Sequence, residues 1–388
     1  MKLGSIIGAR TITVVVVLVA FELVLRNVYG LGLWTATEQS ERYGWRMLPS
    51  QNALSRELTV SEQINSYGFR DREWDAPRGD EESGWQKDGT VFRVAIVGNS
   101  MTYGTSVPIE ETYGRVLEEH LSAELAARGD PRRALVMNFA VQGYVFEQMA
   151  RVYEDSIRRW RPDLLIVPMH PHDIAPMGPS QDDPDYEFRE WILRSGTYDL
   201  LQRHVINRWI PPPPSGNRAE QRAYQKVDAS LTERPFARDN QPYWVAMMQR
   251  LDGVRLAVEG DGGVLTMLTL PRWRSIFEPK LLTADTKWRP WCASRPSTVH
   301  VDPMSDFRPP MNELAQEIWS KGIPHNATHD LTTLTWTDDA GVEHRGDDLD
   351  RADASLWFLF DNGHYSPAGH RLLGDVLFRD LKAAGAIR

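Results

Sequence analysis

The chain has 388 residues, with 44 Lys and Arg against 53 Asp and Glu, a formal net charge of −9 and a pI near 5.6. That balance argues against nucleic acid as a default partner, because a phosphate-binding surface needs clustered Lys and Arg. One cysteine, Cys292, excludes an internal disulfide framework and a cysteine-based zinc site, and the ordinary apolar and charged fractions exclude wholesale disorder.

At the N-terminus, Lys2 and Arg10 precede the apolar run Ile12-Thr-Val-Val-Val-Val-Leu-Val-Ala-Phe21, followed by Leu23-Val-Leu25. Counted from Leu3 to Leu25, this is long enough to cross a bilayer, which takes about 20 residues. Residues 1–26 are therefore expected to form a hydrophobic helix acting as a signal-anchor, a cleaved signal and a buried helix being the alternatives. The positive N-terminal flank favours an N-in, single-pass orientation that leaves the remainder extracytoplasmic. Residues 27–91 read as an irregular membrane-proximal segment, and residues 92–388 as one domain with an insertion at about 176–242.

The periodic part of the chain begins with Arg93-Val-Ala-Ile-Val97, a buried strand that stops at Gly98-Asn99-Ser100. Tyr113, Val116, Leu117, Leu121 and Leu125 recur at helical spacing before Gly129. A second strand, Ala134–Phe139, runs into Ala140-Val-Gln-Gly143, and a helix with Val145, Met149, Val152, Tyr153, Ile157 and Trp160 on one face follows. Leu164–Val167 is a third strand, ending at Pro168-Met-His-Pro-His172-Asp173. After the insertion come a helix over Tyr243–Val258 and a fourth strand over Val264–Leu270. A helix at Asn312–Lys321 and a fifth strand near Ile323 or Leu331 are expected beyond that. Ser366-Pro367 supplies an N-cap and N1 pair for a last helix bearing Leu372, Leu373, Val376, Leu377 and Leu381. Strands that are continuously apolar, alternating with amphipathic helices, predict a parallel sheet covered on both faces, an α/β fold.

In such sheets ligands bind beyond the carboxyl ends of the strands. Ser100, Gly143, His172-Asp173 and the pair Asp361/His364 all fall in loops of that kind. Serine becomes a nucleophile when a base takes its proton, and histidine, with a pKa near neutrality, is the usual base. The histidine in turn needs an acceptor on its other nitrogen, and Asp361, three residues before His364, can turn back to supply one. The backbone N–H groups of Ser100 and Gly143 suit an oxyanion hole. His170-Pro-His172-Asp173 lacks the further ligands that a zinc site needs, so no metal and no cofactor are expected. The tryptophans are read chiefly as core, and a carbohydrate groove around Trp273, Trp288 and Trp291 is the alternative.

Gly98-Asn99-Ser100, Gly143 after Asn138-Phe-Ala-Val-Gln, His172-Asp173 after a strand and Asp361-x-x-His364 resemble, in order and spacing, the SGNH/GDSL hydrolase superfamily. Asn65-Ser-x-Gly-Phe-Arg70 and Pro108-x-Glu-Glu-Thr-Tyr113 resemble a membrane-anchored bacterial subgroup of it. The resemblance covers about residues 64–167 and 357–381. It implies a flavodoxin-like three-layer α/β/α sandwich around a parallel sheet of about five strands. It also implies Ser100 as nucleophile, His364 as base, Asp361 as its orienting acid, and an oxyanion hole of Ser100, Gly143 and His172. Two positions depart from the family pattern: Asn99 stands where it has aspartate, and His172 where it has the oxyanion asparagine. The expected activity is cleavage of a carboxylic ester on a small molecule, glycan or lipid. O-acyl transfer to an envelope glycan by the same residues, and a catalytically silent envelope binding protein, are the alternatives.

Overall fold

The computed structural model describes residues 13, 16–24, 37–54, 60–75, 89–169, 171–177, 237–271, 287–307, 335–337, 343–345 and 364–388. The chain divides into two compact units, Met1–Gly68 with Gly178–Ala223, and Phe69–Met177 with Tyr224–Arg388. In the first unit, residues 16–24 are helical, and their apolar side chains, from Val16 (60% exposed) to Val24 (46%), stand open. Among the described residues no helix is long and apolar enough to cross a membrane. Residues 27–91, expected to be irregular, hold two hairpins: Thr37–Ser40 pairs with Gly44–Met47, and Gln51–Leu54 with Ser61–Ile64. Strands of four residues are too short to show an alternation that a sequence reading can use.

The second unit is built on five parallel strands, β1 (Val91–Gly98), β2 (Arg133–Ala140), β3 (Leu164–Met169), β4 (Val264–Thr269) and β5 (Thr298–Val301), in the order β2-β1-β3-β4-β5. Among the described residues its α-helices are α1 (Ser100–Tyr103), α2 (Tyr113–Ala127), α3 (Phe146–Val152), α4 (Gln241–Gly260), α5 (Arg289–Ala293) and α6 (Pro367–Ala383). The step from β1 to β2 and the step from β2 back across β1 to β3 run in opposite directions. Right-handed crossovers therefore place α2 and α3 on opposite faces of the sheet. Helix α6 packs against α2, and α4 against α3, which gives the three layers. The strands are buried on both sides. Val94, Ile96, Val136, Leu164 and Ile166 face the layer of α2 and α6, while the alternate residues Ala95, Val97, Met137, Leu165 and Val167 are equally buried. Each large aliphatic side chain so buried contributes on the order of 1.5–3 kcal/mol.

The sheet parts where its order reverses. Pairing between β1 and β3 stops at Ile96–Ile166, whereas β3 and β4 continue to Met169–Thr269. Pro168 lies beyond that stop and has no N–H to extend a ladder. The carboxyl ends of β1 and β3 thus flank a switch-point crevice, the place where open α/β sheets take ligands.

Two expectations are corrected, and the reading of the tryptophans as core holds for Trp288 and Trp291. The fifth strand is Thr298–Val301; Ile323 and Leu331 lie outside the described residues. As an edge strand it needs only one ladder and tolerates His300, which pairs with Thr269 Oγ1 at 3.0 Å, so it lacks the continuous apolar run of its neighbours. The helix read from Val145 to Trp160 is α only to Val152, then one π turn, Tyr153–Ile157, and one 3-10 turn, Arg158–Trp160. Trp288 and Trp291 are 0% and 7% exposed, core residues rather than sugar platforms; Trp273 lies outside the described residues. Residues 335–337 and 343–345 form a further short hairpin.

One contact locks α6 to α2. A Cβ on Gly374 would stand 2.6 Å from Val116, so the helices touch at bare backbone. Above that contact His370, 1% exposed, accepts the Tyr113 N–H on Nδ1 at 3.2 Å and stacks on the Tyr113 ring. Burial, with Arg70 and His364 adding repulsion, pulls the His370 pKa from 6.5 down to about 3. Between those two values the unfolded chain takes up a proton that the native chain refuses, so the native state loses stability as pH falls through this window and not above it. His370→Asn keeps an acceptor for Tyr113 and removes the titration. The unfolding free energy of the wild type relative to this variant, measured by urea titration, is expected to be flat above neutrality and to fall by up to about 1.4 kcal/mol per pH unit below it.

Candidate active site

At the carboxyl end of β1 the chain turns sharply into α1. Gly98 is required there, because a Cβ would lie 2.3 Å from Thr102 Oγ1. Asn99 caps the turn. Its Oδ1 accepts the Met101 N–H at 3.0 Å, a cap of about 1 kcal/mol, and its Nδ2 donates to Asp173 Oδ1 at 2.8 Å. Ser100 follows as the first residue of the turn, half-buried.

The loop after β2 is tied to the same point. Val141 N–H donates to the Gly98 carbonyl at 3.1 Å, prolonging the β1–β2 ladder past its last pair. Gly143 sits exposed at the tip with φ +77°, a conformation that side chains disfavour. Gln148 Oε1 then accepts the Val145 N–H at 2.9 Å and fixes the start of α3.

The loop after β3 makes a 3-10 turn, Pro171–Ile174. Asp173 is fully buried in it and receives the Asn99 amide, so the loops after β1 and β3 are bonded across the crevice. The side chain of His172 lies outside the described residues. Beside this loop a cavity of about 330 Å³ is lined by Asp173, Ile174 and Met177 together with residues of α3 and α4, among them Phe146, Arg151 and Tyr243. The size is that of a small-molecule site.

His364 precedes α6 and is half-buried. Its position is set by its neighbours. Tyr365, fully buried, donates its hydroxyl to the Pro271 carbonyl at 2.7 Å, and Ser366 Oγ accepts the Gly369 N–H at 3.2 Å as the N-cap of α6. From there a continuous path leads back to the Ser100 turn. His370 accepts from Tyr113 N–H, and Tyr113 donates its hydroxyl to Thr102 Oγ1 at 2.9 Å. Among the described residues no hydrogen bond joins Ser100 to His364. Asp361 lies outside the described residues.

The sequence reading missed the groups that hold the turn. Arg70 donates to the carbonyls of Tyr103 (2.8 Å), Gly104 (2.6 Å) and Val107 (2.6 Å). Asn138 Nδ2 donates to the Thr102 carbonyl at 3.1 Å. Asp71 takes Arg115 Nη2 at 2.5 Å, Trp74 Nε1 at 2.9 Å and Asn138 N–H at 2.9 Å. Burial raises the Asp71 pKa, while Arg115 and these N–H donors pull it down. Arg70 carried a signal only as part of the subgroup resemblance, with no role attached, and Asp71 carried none.

No protein-family model matches the chain, and no curated protein matches it. Among solved structures it is similar to the lipase Lip_vut3 from a goat rumen metagenome, at 12% identity over 76% of this chain and 98% of that one, with a TM-score of 0.38. It is also similar to Axe2, an acetylxylan esterase from Geobacillus stearothermophilus, at 13% identity over 76% and 96%, TM-score 0.39. A third is a Desulfitobacterium hafniense DCB-2 protein described as lipolytic and of the G-D-S-L family, at 10% identity over 75% and 99%, TM-score 0.34. At such identities and scores the fold rests on the strand order given above.

The bond between Asn99 and Asp173 is directly testable. Asn99→Asp replaces the buried donor by a second carboxylate. A stability loss of about 1–3 kcal/mol at neutral pH is expected, shrinking on mild acidification as the two carboxyls share a proton. Asn99→Asp combined with Asp173→Asn returns an amide donor to the gap, and the double variant is expected to regain most of the loss in urea unfolding.

Proposed function

We propose that this chain is a serine ester hydrolase of the SGNH/GDSL type. The observation that carries this reading is the convergence at the switch point: the Ser100 turn is bonded to the Gly143 loop through Val141 and Gly98, and to the loop after β3 through Asn99 and Asp173. His364 arrives on a helix locked to the same turn through His370, Tyr113 and Thr102.

In this reading Ser100 Oγ attacks the acyl carbonyl while His364 takes its proton and Asp361 orients the imidazole. The oxyanion rests on the N–H groups of Ser100 and Gly143, with His172 as a third donor; each such donor lowers the barrier by about 3 kcal/mol. His364 then gives the proton to the departing alcohol, and water, activated by the same histidine, releases the acid. The cavity beside Asp173 offers an apolar wall from Phe146, Ile174 and Met177 and a polar one from Arg151, suited to the body of an ester on a glycan or lipid.

We further propose that residues 1–26 anchor the chain in a membrane, with the catalytic unit on the extracytoplasmic side. Support comes from the uninterrupted apolar run and from the open apolar side chains of residues 16–24, which water disfavours and lipid accepts. Deletion of residues 1–26 is expected to move the protein from the membrane fraction to the soluble one; retention in the membrane fraction would overturn the anchor. For the activity, a fluorophosphonate probe is expected to label Ser100, with labelling abolished in Ser100→Ala and lowered by about a hundredfold or more in His364→Ala. Labelling that persists unchanged in Ser100→Ala would reject the mechanism.

A further inference from the structure

We propose that Arg70 is the positioning residue of the nucleophile turn, its buried guanidinium holding the backbone that decides where Ser100 Oγ stands. This rests on the assignment of Ser100 as nucleophile.

A single helical turn has no cooperative stability of its own, and the carbonyls at its C-terminal end have no partner within it. In α1 the Ser100 carbonyl is taken by Gly104 N–H and Thr105 N–H, and that of Thr102 by Asn138. Those of Tyr103 and Gly104 go to Arg70 Nη1, and that of Val107, where the chain leaves the turn, goes to Arg70 Nη2. One planar group thus spans the exit of the turn, a geometry that a fork of donors can satisfy and a lysine ammonium cannot. The fit is close: Arg70 Nη1 would lie 3.1 Å from a Cβ at Gly104, and the guanidinium lies 5.1 Å from the centre of the Tyr103 ring.

Arg70 is 0% exposed, and among the described residues no carboxylate pairs with it. Its neighbour Asp71 is engaged by Arg115, Trp74 and Asn138. A buried cation without a counter-charge is costly, and for filling space an apolar side chain would serve better. What the guanidinium adds is the direction of three carbonyl dipoles at the one turn that carries the serine. Loosening them leaves the sheet and its helices in place and lets the Ser100 backbone drift, and small displacements of a reacting group cost large factors in rate.

The test compares Arg70→Met, Arg70→Lys and, as a control destabilised away from the site, Gly263→Ala, whose new Cβ would meet the Pro162 carbonyl at 2.6 Å. Each is made in the full chain and assayed well below its own unfolding midpoint. The readouts are the rate of fluorophosphonate labelling at Ser100, and kcat and KM for p-nitrophenyl acetate. Expected are a fall in labelling rate and kcat of about tenfold or more in Arg70→Met with KM little changed, a smaller fall in Arg70→Lys, and kcat unchanged in Gly263→Ala. A folded Arg70→Met within about twofold of wild type in both rates would overturn the proposal. Should that variant not fold, Arg70→Lys decides by the same criterion. Absence of Ser100 labelling in the wild type would instead remove the nucleophile assignment, and this inference with it.

Discussion

The side-chain amide of Asn99 is the interaction on which the site depends. It must accept on one side, from the Met101 N–H that opens the Ser100 turn, and donate on the other, to the buried Asp173 carboxylate across the crevice. A carboxylate at position 99 could do the first and, ionised, not the second; a serine could not span both. An aspartate at this position would face Asp173 as a like charge. The amide at 99 thus leaves the buried Asp173 carboxylate hydrogen-bonded and without a like charge beside it.

The crevice bridged by that amide exists because the sheet order reverses between β1 and β3, and because their ladder ends at Ile96–Ile166. Among the described residues, the segments that approach Ser100 are attached to rigid elements rather than to free loops. The Gly143 loop hangs from the end of β1, and the His364 segment is pinned by Tyr365, Ser366 and His370 at the head of α6. The neutral His370 is part of that attachment. Its Nδ1 accepts from Tyr113, so its proton sits on Nε2, and a second proton would break the hydrogen bond from Tyr113 N–H.

Much of the fold was legible because β1 to β4 are buried on both faces and so read as continuous apolar runs. β5 was not, because an edge strand with Thr298 and His300 needs no such run. The four-residue hairpins gave too few residues to show a period, and the switch from α to π and 3-10 after Val152 leaves the apolar spacing nearly unchanged. Ser100, Gly143 and His364 were legible because each sits in a local pattern tied to the end of a strand or the start of a helix. Arg70 and His370 were not legible as parts of the site, because their meaning lies in partners 33 and 257 residues distant. A lone arginine after an aromatic, or a histidine in an amphipathic helix, reads the same whether it is packed or solvated.

Arg70 also bears on where the smallest working unit begins. Phe69 and Trp74 pack on Phe139 with ring centres 4.9 and 4.6 Å away, and the compact unit starts at Phe69, more than twenty residues before the first central strand. A boundary drawn at β1 would keep every strand and every proposed catalytic residue, yet discard the brace of the turn that presents the serine. To shed this arm ahead of the sheet is to leave the carbonyls of Tyr103 and Val107, at the exit of the Ser100 turn, without the donor that holds them.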